Sequence, residues 1–267
     1  MSMVEVAKQA ALGAGRILTK NFRKIPAHEI RRKLKNDFLS FVDEQSEQLI
    51  LKTIKKSFPD HAFLAEEVGG SAYEHDYLWI IDPLDGTTNF LQGLPVFAIS
   101  IGLLHKGRPL LGVIYDPLHD EMFWAERGRG AFLNDQPIAV SKKATLDESF
   151  IATGFPFKAK HFLPEYLAAF EDIFRECIGQ RRMGAAAIDL AYVAAGRFDG
   201  FWELGLSPWD QAAGWIIIQE AGGRITDFWG NPDFLYANYT LATNGLIHDQ
   251  MVEKIRKHFK DFKTVYK

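Results

Sequence analysis

Apolar residues at the start of the chain fall at Val4, Ala7, Ala11, Ala14, Leu18 and Phe22, the three-and-four spacing that gathers side chains on one helix face. Lys8 and Arg16 interrupt the same stretch, so it reads as an amphipathic helix and not as the apolar block of a secretory leader. The basic run Arg31-Arg32-Lys33-Leu34-Lys35 leads to Asn36-Asp37, and residues 43–58 read as a second helix that stops before Pro59. These two helices are expected to pack as a pair. The rhythm then shortens. Apolar runs at Ala62–Ala65, Leu78–Ile81, Val96–Leu104, Leu110–Tyr115 and Met122–Ala125, spaced by Gly, Pro and Asp, predict a sheet of largely antiparallel strands. Gly128-Arg129-Gly130 reads as a hairpin turn.

From Phe150 onward strand and helix alternate. Strands are predicted at Phe150–Thr153, at Asp199–Glu203 and along Thr240-Leu241-Ala242-Thr243-Asn244-Gly245. Helices are predicted at Pro164–Ile178, Gly184–Ala195 and Pro208–Glu220, and from His248 toward Phe259. The polar stretch Ser141–Glu148 is the expected boundary, dividing an α+β half, residues 1–145, from an α/β half, residues 146–267.

Composition narrows the possible chemistry. A hydrophobic content of 47% over 267 residues is ample for a core. The net charge of -3 provides no global attraction to nucleic acid or anionic lipid, so affinity for a phosphate must come from a local site. Cys177 is the only cysteine, which rules out an intrachain disulfide and a thiolate zinc cluster and suits a reducing cytoplasm. The eight histidines show no HExxH pairing, so a metal, if bound, is expected on oxygen ligands. The longest aliphatic run, Val96–Leu104, falls well short of the ~20 residues that cross a bilayer.

The densest chemistry lies at Trp79-Ile80-Ile81-Asp82-Pro83-Leu84-Asp85-Gly86-Thr87-Thr88. An apolar strand delivers two carboxylates, Pro83 restricts the backbone between them, and Gly86 permits a sharp bend. If Gly86-Thr87-Thr88 opens a helix, its free N–H groups face an anion. Carboxylates for a hard cation and amides for phosphate oxygens then lie side by side, the arrangement that metal-assisted hydrolysis uses. The plain alternative is an Asp-Pro-x-Asp-Gly turn. Other acids also have plain readings: Glu66 and Glu67 as solvated charges, Asp43 as a helix cap, and Asp210 as dipole compensation behind Ser207 and Pro208. Gly184-Ala185-Ala186 reads equally as a ligand-facing helix start or a tight packing face, and Arg181 and Arg182 as surface charges or as contacts to substrate or a partner subunit. No Gly-Lys-Ser/Thr follows a glycine loop, and Ala98–Gly102 lacks the first glycine of a nucleophile elbow.

Asp82-Pro83-Leu84-Asp85-Gly86-Thr87 resembles the first signature of the inositol monophosphatase family, and Trp209-Asp210-Gln211-Ala212-Ala213-Gly214, running on to Glu220-Ala221-Gly222-Gly223, resembles the second. Ala152-Thr153-Gly154-Phe155-Pro156-Phe157-Lys158 and Ala191-Tyr192-Val193-Ala194-Ala195-Gly196-Arg197 place the resemblance with bacterial members. It implies a layered αβαβα sandwich with the active site between the halves. It also implies a magnesium-dependent, lithium-sensitive phosphatase, homodimeric and cytoplasmic, that hydrolyses inositol 1-phosphate without a phosphoenzyme. Two Mg²⁺ ions would be held by Glu66, Asp82, the Leu84 carbonyl, Asp85 and Asp210, with a third, weaker site at Asp37 and Asp43. Glu66 and Thr87, the latter oriented by Asp43, would position the attacking water. The phosphorylated polyol would meet Leu84, Asp85, Gly86, Thr87, Arg181, Gly184, Ala185, Ala186, Glu203 and Asp210.

Two positions depart from the family pattern: Ser40-Phe41-Val42 precedes Asp43 where Val-Thr is frequent, and Ala185 stands where Thr or Ser is common, leaving only a backbone contact there. Related phosphatases for fructose 1,6-bisphosphate, 3′-phosphoadenosine 5′-phosphate and histidinol phosphate use similar ligands, so these acids do not select the alcohol. A regulatory role with a protein or RNA partner, alongside catalysis, is the other expectation the resemblance carries.

Overall fold

The computed structural model describes residues 1–26, 31–34, 37–70 and 75–259, with the main chain alone over 31–34 and 37–39. Helix α1 (Met3–Asn21) buries Val4, Ala7, Ala11, Ala14 and Leu18, the stripe read from the sequence. A two-stranded hairpin, β1 (Arg31–Leu34) and β2 (Asp37–Leu39), precedes α2 (Phe41–Ser57). The two helices pack together, with Gly13 against Leu49. The cap of α2 corrects the expectation for Asp43. Ser40 is the N-cap, and Asp43, three residues on, closes a capping box by accepting the Ser40 N–H at 2.9 Å.

The following strands form one eight-stranded sheet: β3 (Ala62–Ala65), β4 (Gly69–Gly70), β5 (Tyr77–Asp85), β6 (Ala98–His105), β7 (Arg108–Asp116), β8 (Glu121–Glu126), β9 (Ala131–Leu133) and β10 (Gln136–Ile138), in spatial order β10-β9-β8-β7-β6-β5-β3-β4. A one-turn helix, α3 (Thr87–Leu91), sits between β5 and β6. Every pairing is antiparallel except that of β3 with β5. The predicted Gly128-Arg129-Gly130 turn lies between β8 and β9, which pair antiparallel.

A second sheet of five strands, ordered β12-β11-β13-β15-β14, is built from β11 (Phe150–Thr153), β12 (Gly179–Arg181), β13 (Gly200–Leu204), β14 (Arg224–Thr226) and β15 (Tyr239–Thr243). Its helices are α4 (Leu163–Phe174), α5 (Ala186–Ala194), α6 (Pro208–Glu220) and α7 (His248–Arg256). The layers follow from which faces are apolar. α1 and α2 cover one face of the large sheet, and α5 and α6 fill the space between the two sheets. The pair α4 and α7 closes the outer face of the small sheet over Tyr166, Ile173, Trp202 and Met251. The result is the layered αβαβα sandwich. α6 approaches the large sheet closely because Gly112 has no side chain; a Cβ there would lie 2.4 Å from the Ala213 carbonyl oxygen.

Short edge elements escaped the reading of the sequence: β1, β2, β4, β9, β10, β12 and β14 have two to four residues each, too few for alternation to register. The helix expected at Pro164–Ile178 stops at Phe174, because the chain turns there to supply edge strand β12. The helix expected from Gly184 begins at Ala186, since Gly184 holds φ +88, outside helical space. Among the described residues, no helix is long and apolar enough to cross a membrane.

Candidate active site

The large sheet is interrupted at the Asp-Pro-x-Asp run. Asp82 pairs with Ser100 and Asp85 with Ala98, so β5 carries one residue more than β6 between the two acids and bulges. Asp82 Oδ1 accepts the Leu84 N–H across this bulge at 2.9 Å. Asp85 Oδ2 accepts the Ala187 N–H from the first turn of α5 at 2.7 Å. Asp210 stands in the first turn of α6, where its Oδ2 accepts the Ser207 N–H at 2.6 Å in a second capping box. Each acid is thus fixed by a main-chain donor, and carboxylate oxygens of Asp82, Asp85 and Asp210 lie within 4.8 Å of one another.

Burial makes this proximity costly for three negative charges. Asp82 is held well above the usual carboxylate range, first by desolvation and then by Glu66, Asp85 and Asp210. Asp85 is pushed up to about 8 by burial and by Asp210. Asp210 is pushed up to about 6 by burial, against the opposing pull of Lys158. An acid cluster of this kind fits a hard divalent cation. The donors are all oxygens, and the charge that burial penalises is the charge a cation would neutralise.

Beside the acids the chain turns into α3. Gly86, its N-cap, holds φ +87, and a Cβ there would lie 2.9 Å from the Val96 carbonyl oxygen and 3.1 Å from Ala185 Cβ. A side chain at position 86 is therefore excluded by backbone and by space alike. The Thr87 hydroxyl has two acceptors within reach, the Leu84 carbonyl at 2.9 Å and Asp43 Oδ1 at 3.2 Å, and one proton to donate. Asp43 is itself buried, and desolvation lifts its carboxyl to about 6 against the hydrogen bonds from Ser40. α2 anchors the neighbouring acidic loop as well. Buried Glu47 accepts the N–H groups of Glu67 and Val68 at 2.8 and 2.9 Å, and the Ser46 hydroxyl donates to the Pro83 carbonyl at 2.9 Å.

These groups open onto one cavity of about 390 Å³. Of the residues singled out in the sequence, Glu66, Asp82, Leu84, Asp85, Gly86, Thr87, Gly184, Ala186, Glu203 and Asp210 line it. Asp43 stands behind Thr87. Ala185 is buried in the core between the sheets, so it presents no side chain to the cavity. Arg181 is directed elsewhere, with its guanidinium 4.7 Å from the centre of the Phe150 ring, while its neighbour Arg182 lines the cavity. Arg181 is the last residue of β12 and Arg182 lies just beyond it, a boundary invisible while the strand was unread. Asp37 falls in β2, where only the main chain is described.

The profile of the inositol monophosphatase family matches residues 1–260. The chain belongs to that family. Members are metal-dependent phosphatases, and the acid cluster is where this one could hold its metal. A curated relative, the Nus factor SuhB of Escherichia coli K12, is 44% identical over 260 residues, covering 97% of each chain. Among solved structures, the extragenic suppressor protein suhB of Bartonella henselae superposes with a TM-score of 0.90 at 41% identity, covering 96% of this chain and 99% of that one. The inositol monophosphatase of Anabaena (Nostoc) sp. PCC 7120 gives a TM-score of 0.86 at 41% identity, covering 95% and 94%.

The rest of the lining comes from segments the sequence did not single out for this purpose. Phe155, Phe157 and Lys158 reach the cavity from the loop after β11, and Gly205 and Leu206 from the loop after β13. Glu203, 7% exposed, is pushed up to about 8 by burial in spite of Arg182. Glu47 left no sequence signal beyond being an acid within a helix. Only its lack of exposure marks it, since a buried carboxylate needs donors around it.

Proposed function

We propose that the protein is a Mg²⁺-dependent phosphomonoesterase that hydrolyses inositol 1-phosphate to myo-inositol and phosphate. The observation that carries this reading is one cavity lined by two unlike sets of groups: Asp82, Asp85 and Asp210 with the Gly86-Thr87 turn, and Glu203 with Arg182. The metals would be held by Glu66, Asp82, the Leu84 carbonyl, Asp85 and Asp210. When bound there, Mg²⁺ lowers the pKa of water and neutralises charge on phosphoryl oxygens.

The chain's own groups do the positioning. Amide N–H groups at the start of α3 receive the phosphoryl oxygens, because the first N–H groups of a helix lack intrahelical acceptors. Thr87, held by Asp43 and the Leu84 carbonyl, orients the attacking water together with Glu66. Glu203 and Arg182 meet the hydroxyl groups of the alcohol. The two halves, 1–145 and 146–267, act as one unit with the reaction at their seam. The same reading extends to inhibition by lithium, a homodimer and a cytoplasmic setting, and it leaves the third metal at Asp37 and Asp43 as the weakest.

The test is phosphate release from inositol 1-phosphate, fructose 1,6-bisphosphate, 3′-phosphoadenosine 5′-phosphate and histidinol phosphate, with and without Mg²⁺. Magnesium-dependent preference for inositol 1-phosphate is expected. Preference for another of these esters would keep the mechanism and change the substrate.

A second reading is favoured by the name of the Escherichia coli relative, a Nus factor: association with the transcription machinery in addition to catalysis. Capture of such partners should survive Asp85→Asn, which removes a metal ligand and leaves the surface intact. Loss of capture together with turnover would count against a separate role.

A further inference from the structure

The carboxyl of Glu203 sits where a neighbouring side chain would otherwise be. β11 and β13 run parallel, with Ala152 beside Phe201 and Thr153 beside Trp202, so Gly154 comes next beside Glu203. A Cβ built on Gly154 would lie 1.8 Å from Glu203 Cδ, 1.9 Å from Oε2 and 2.2 Å from Oε1. Carbon atoms in contact stand about 3.5–4.0 Å apart, so the carboxyl fills the volume that any side chain at 154 needs. Backbone conformation does not account for this glycine, because Gly154 is not among those with positive φ. Space does. The overlap also falls on the end of a flexible side chain, so a methyl group at 154 would displace the Glu203 carboxyl before it disturbed the sheet.

We infer that Gly154 is a specificity-determining position: its missing side chain is the socket that seats the Glu203 carboxyl at the cavity wall, where that carboxyl reads the hydroxyl groups of the alcohol. The inference rests on the polyol-phosphate reading above and adds the residue that makes Glu203 usable. Gly154 touches no substrate in this account; it acts through Glu203, as a positioning residue. The Phe155, Phe157 and Lys158 that follow line the same cavity, so the socket lies on the segment that shapes the alcohol end.

The test compares inositol 1-phosphate with p-nitrophenyl phosphate, an aryl ester with no hydroxyl groups on its leaving alcohol, at saturating Mg²⁺. In Gly154→Ala the ratio of kcat/KM for the two esters should fall about tenfold, the size of effect expected when the net contribution of one hydrogen bond to a substrate hydroxyl is lost. The fall should be carried by KM. In a Glu203→Ala background the same substitution should leave the ratio within about twofold, the socket having lost its occupant. An equal loss on both esters, or a loss that persists without Glu203, overturns the inference. A crystal structure of Gly154→Ala decides the matter independently of substrate: a displaced Glu203 carboxyl supports the socket, and an unmoved one refutes it. If the wild-type protein shows no preference for the polyol ester, the substrate reading fails while the crystal structure still judges the socket. Should Gly154→Ala not fold, a folded Gly154→Ala/Glu203→Ala protein supports the socket and an unfolded one overturns it.

Discussion

The two ends of the cavity are built differently. At the acid end, Asp82, Asp85, Gly86 and Thr87 come from six consecutive residues, Asp210 is added from the start of α6, and each of the three aspartates is held by a main-chain donor. At the alcohol end, Gly154, Lys158, Arg182, Glu203 and Leu206 come from separate segments that meet only when the small sheet forms. The acid end needs fixed charge density, which a short, stiff, buried motif supplies. The alcohol end needs shape and donors matched to one ligand, which several loops supply and can vary independently. Chemistry is therefore concentrated in the sequence, and selectivity is dispersed.

The largest expected effect lies at the acid end. Asp85→Asn should lower turnover at saturating Mg²⁺ by more than about 10²-fold, because loss of a group merely supporting a metal ligand already costs 10–100-fold. The protein should stay folded, since the amide can still accept the Ala187 N–H. Phosphate release together with thermal unfolding checks both parts, and near-normal turnover would break the metal assignment.

Next in size is an unusual pH dependence of the metal-free protein. Asp85 and Asp210 have folded pKa values near 8 and 6, above their unfolded value. Their contribution to stability is thus complete below about pH 4 and is lost as pH rises through 6 and 8. The melting temperature without metal should fall between pH 5.5 and 8.5, less so in Asp85→Asn, and Mg²⁺ should stabilise the protein most at the alkaline end. Equal slopes for the wild type and Asp85→Asn would remove this cluster as the cause.

At the alcohol end a neighbouring pair gives a sharper contrast. Arg182→Ala should raise KM for inositol 1-phosphate several-fold, whereas Arg181→Ala, whose guanidinium lies over Phe150, should change it less. The reverse order would mean that the side chains around β12 exchange roles when substrate binds. Beneath the loop that carries Glu66, Glu47→Ala removes the buried carboxylate that accepts the part-buried Glu67 and Val68 N–H groups and should cost about 1–3 kcal/mol, with Glu47→Gln milder. Chemical denaturation measures it, and a loss below about 0.5 kcal/mol, the scatter of surface substitutions, would show that water replaces the carboxylate.

The smallest effect lies outside the cavity and has the opposite sign. Buried His248 bonds the Thr226 and Thr243 hydroxyls, and burial lowers its pKa from 6.5 to about 4. Its contribution is complete above pH 6.5 and fades as pH falls toward 4. His248→Gln should flatten that acidic limb without altering the alkaline one, as thermal melts across the range would show.

Much of the frame was legible before the structure. The stripe of α1, the bounds of α6 and the longer strands of the large sheet follow from helical periodicity and from apolar runs between turn residues. Asp82 and Asp85 stood out because Pro83 and Gly86 constrain the backbone around them, whereas Asp210 was marked as a ligand only by the family resemblance. Asp43, read from local sequence as the cap of α2, instead completes the box behind Ser40, while its expected contact to Thr87 is present. Arg181 and Arg182 were both candidates for a contact to substrate or a partner subunit, and only Arg182 lines the cavity, because β12 ends at Arg181 with its guanidinium over Phe150. Ala185 buries its side chain in the core, as a position expected to offer only its backbone can do.

The sequence by itself determined the main helices and longer strands, which depend on spacing between near neighbours and on local backbone preference, and its motifs determined the family, whose resemblance implied the layered fold and the candidate acids. Tertiary structure decided which acids share one space, how burial raises their pKa values, that Glu47 braces the loop carrying Glu66, and that Gly154 is empty for the sake of Glu203. Those properties depend on distances between residues far apart in the chain and on the water excluded between them, and neither exists until the layers close.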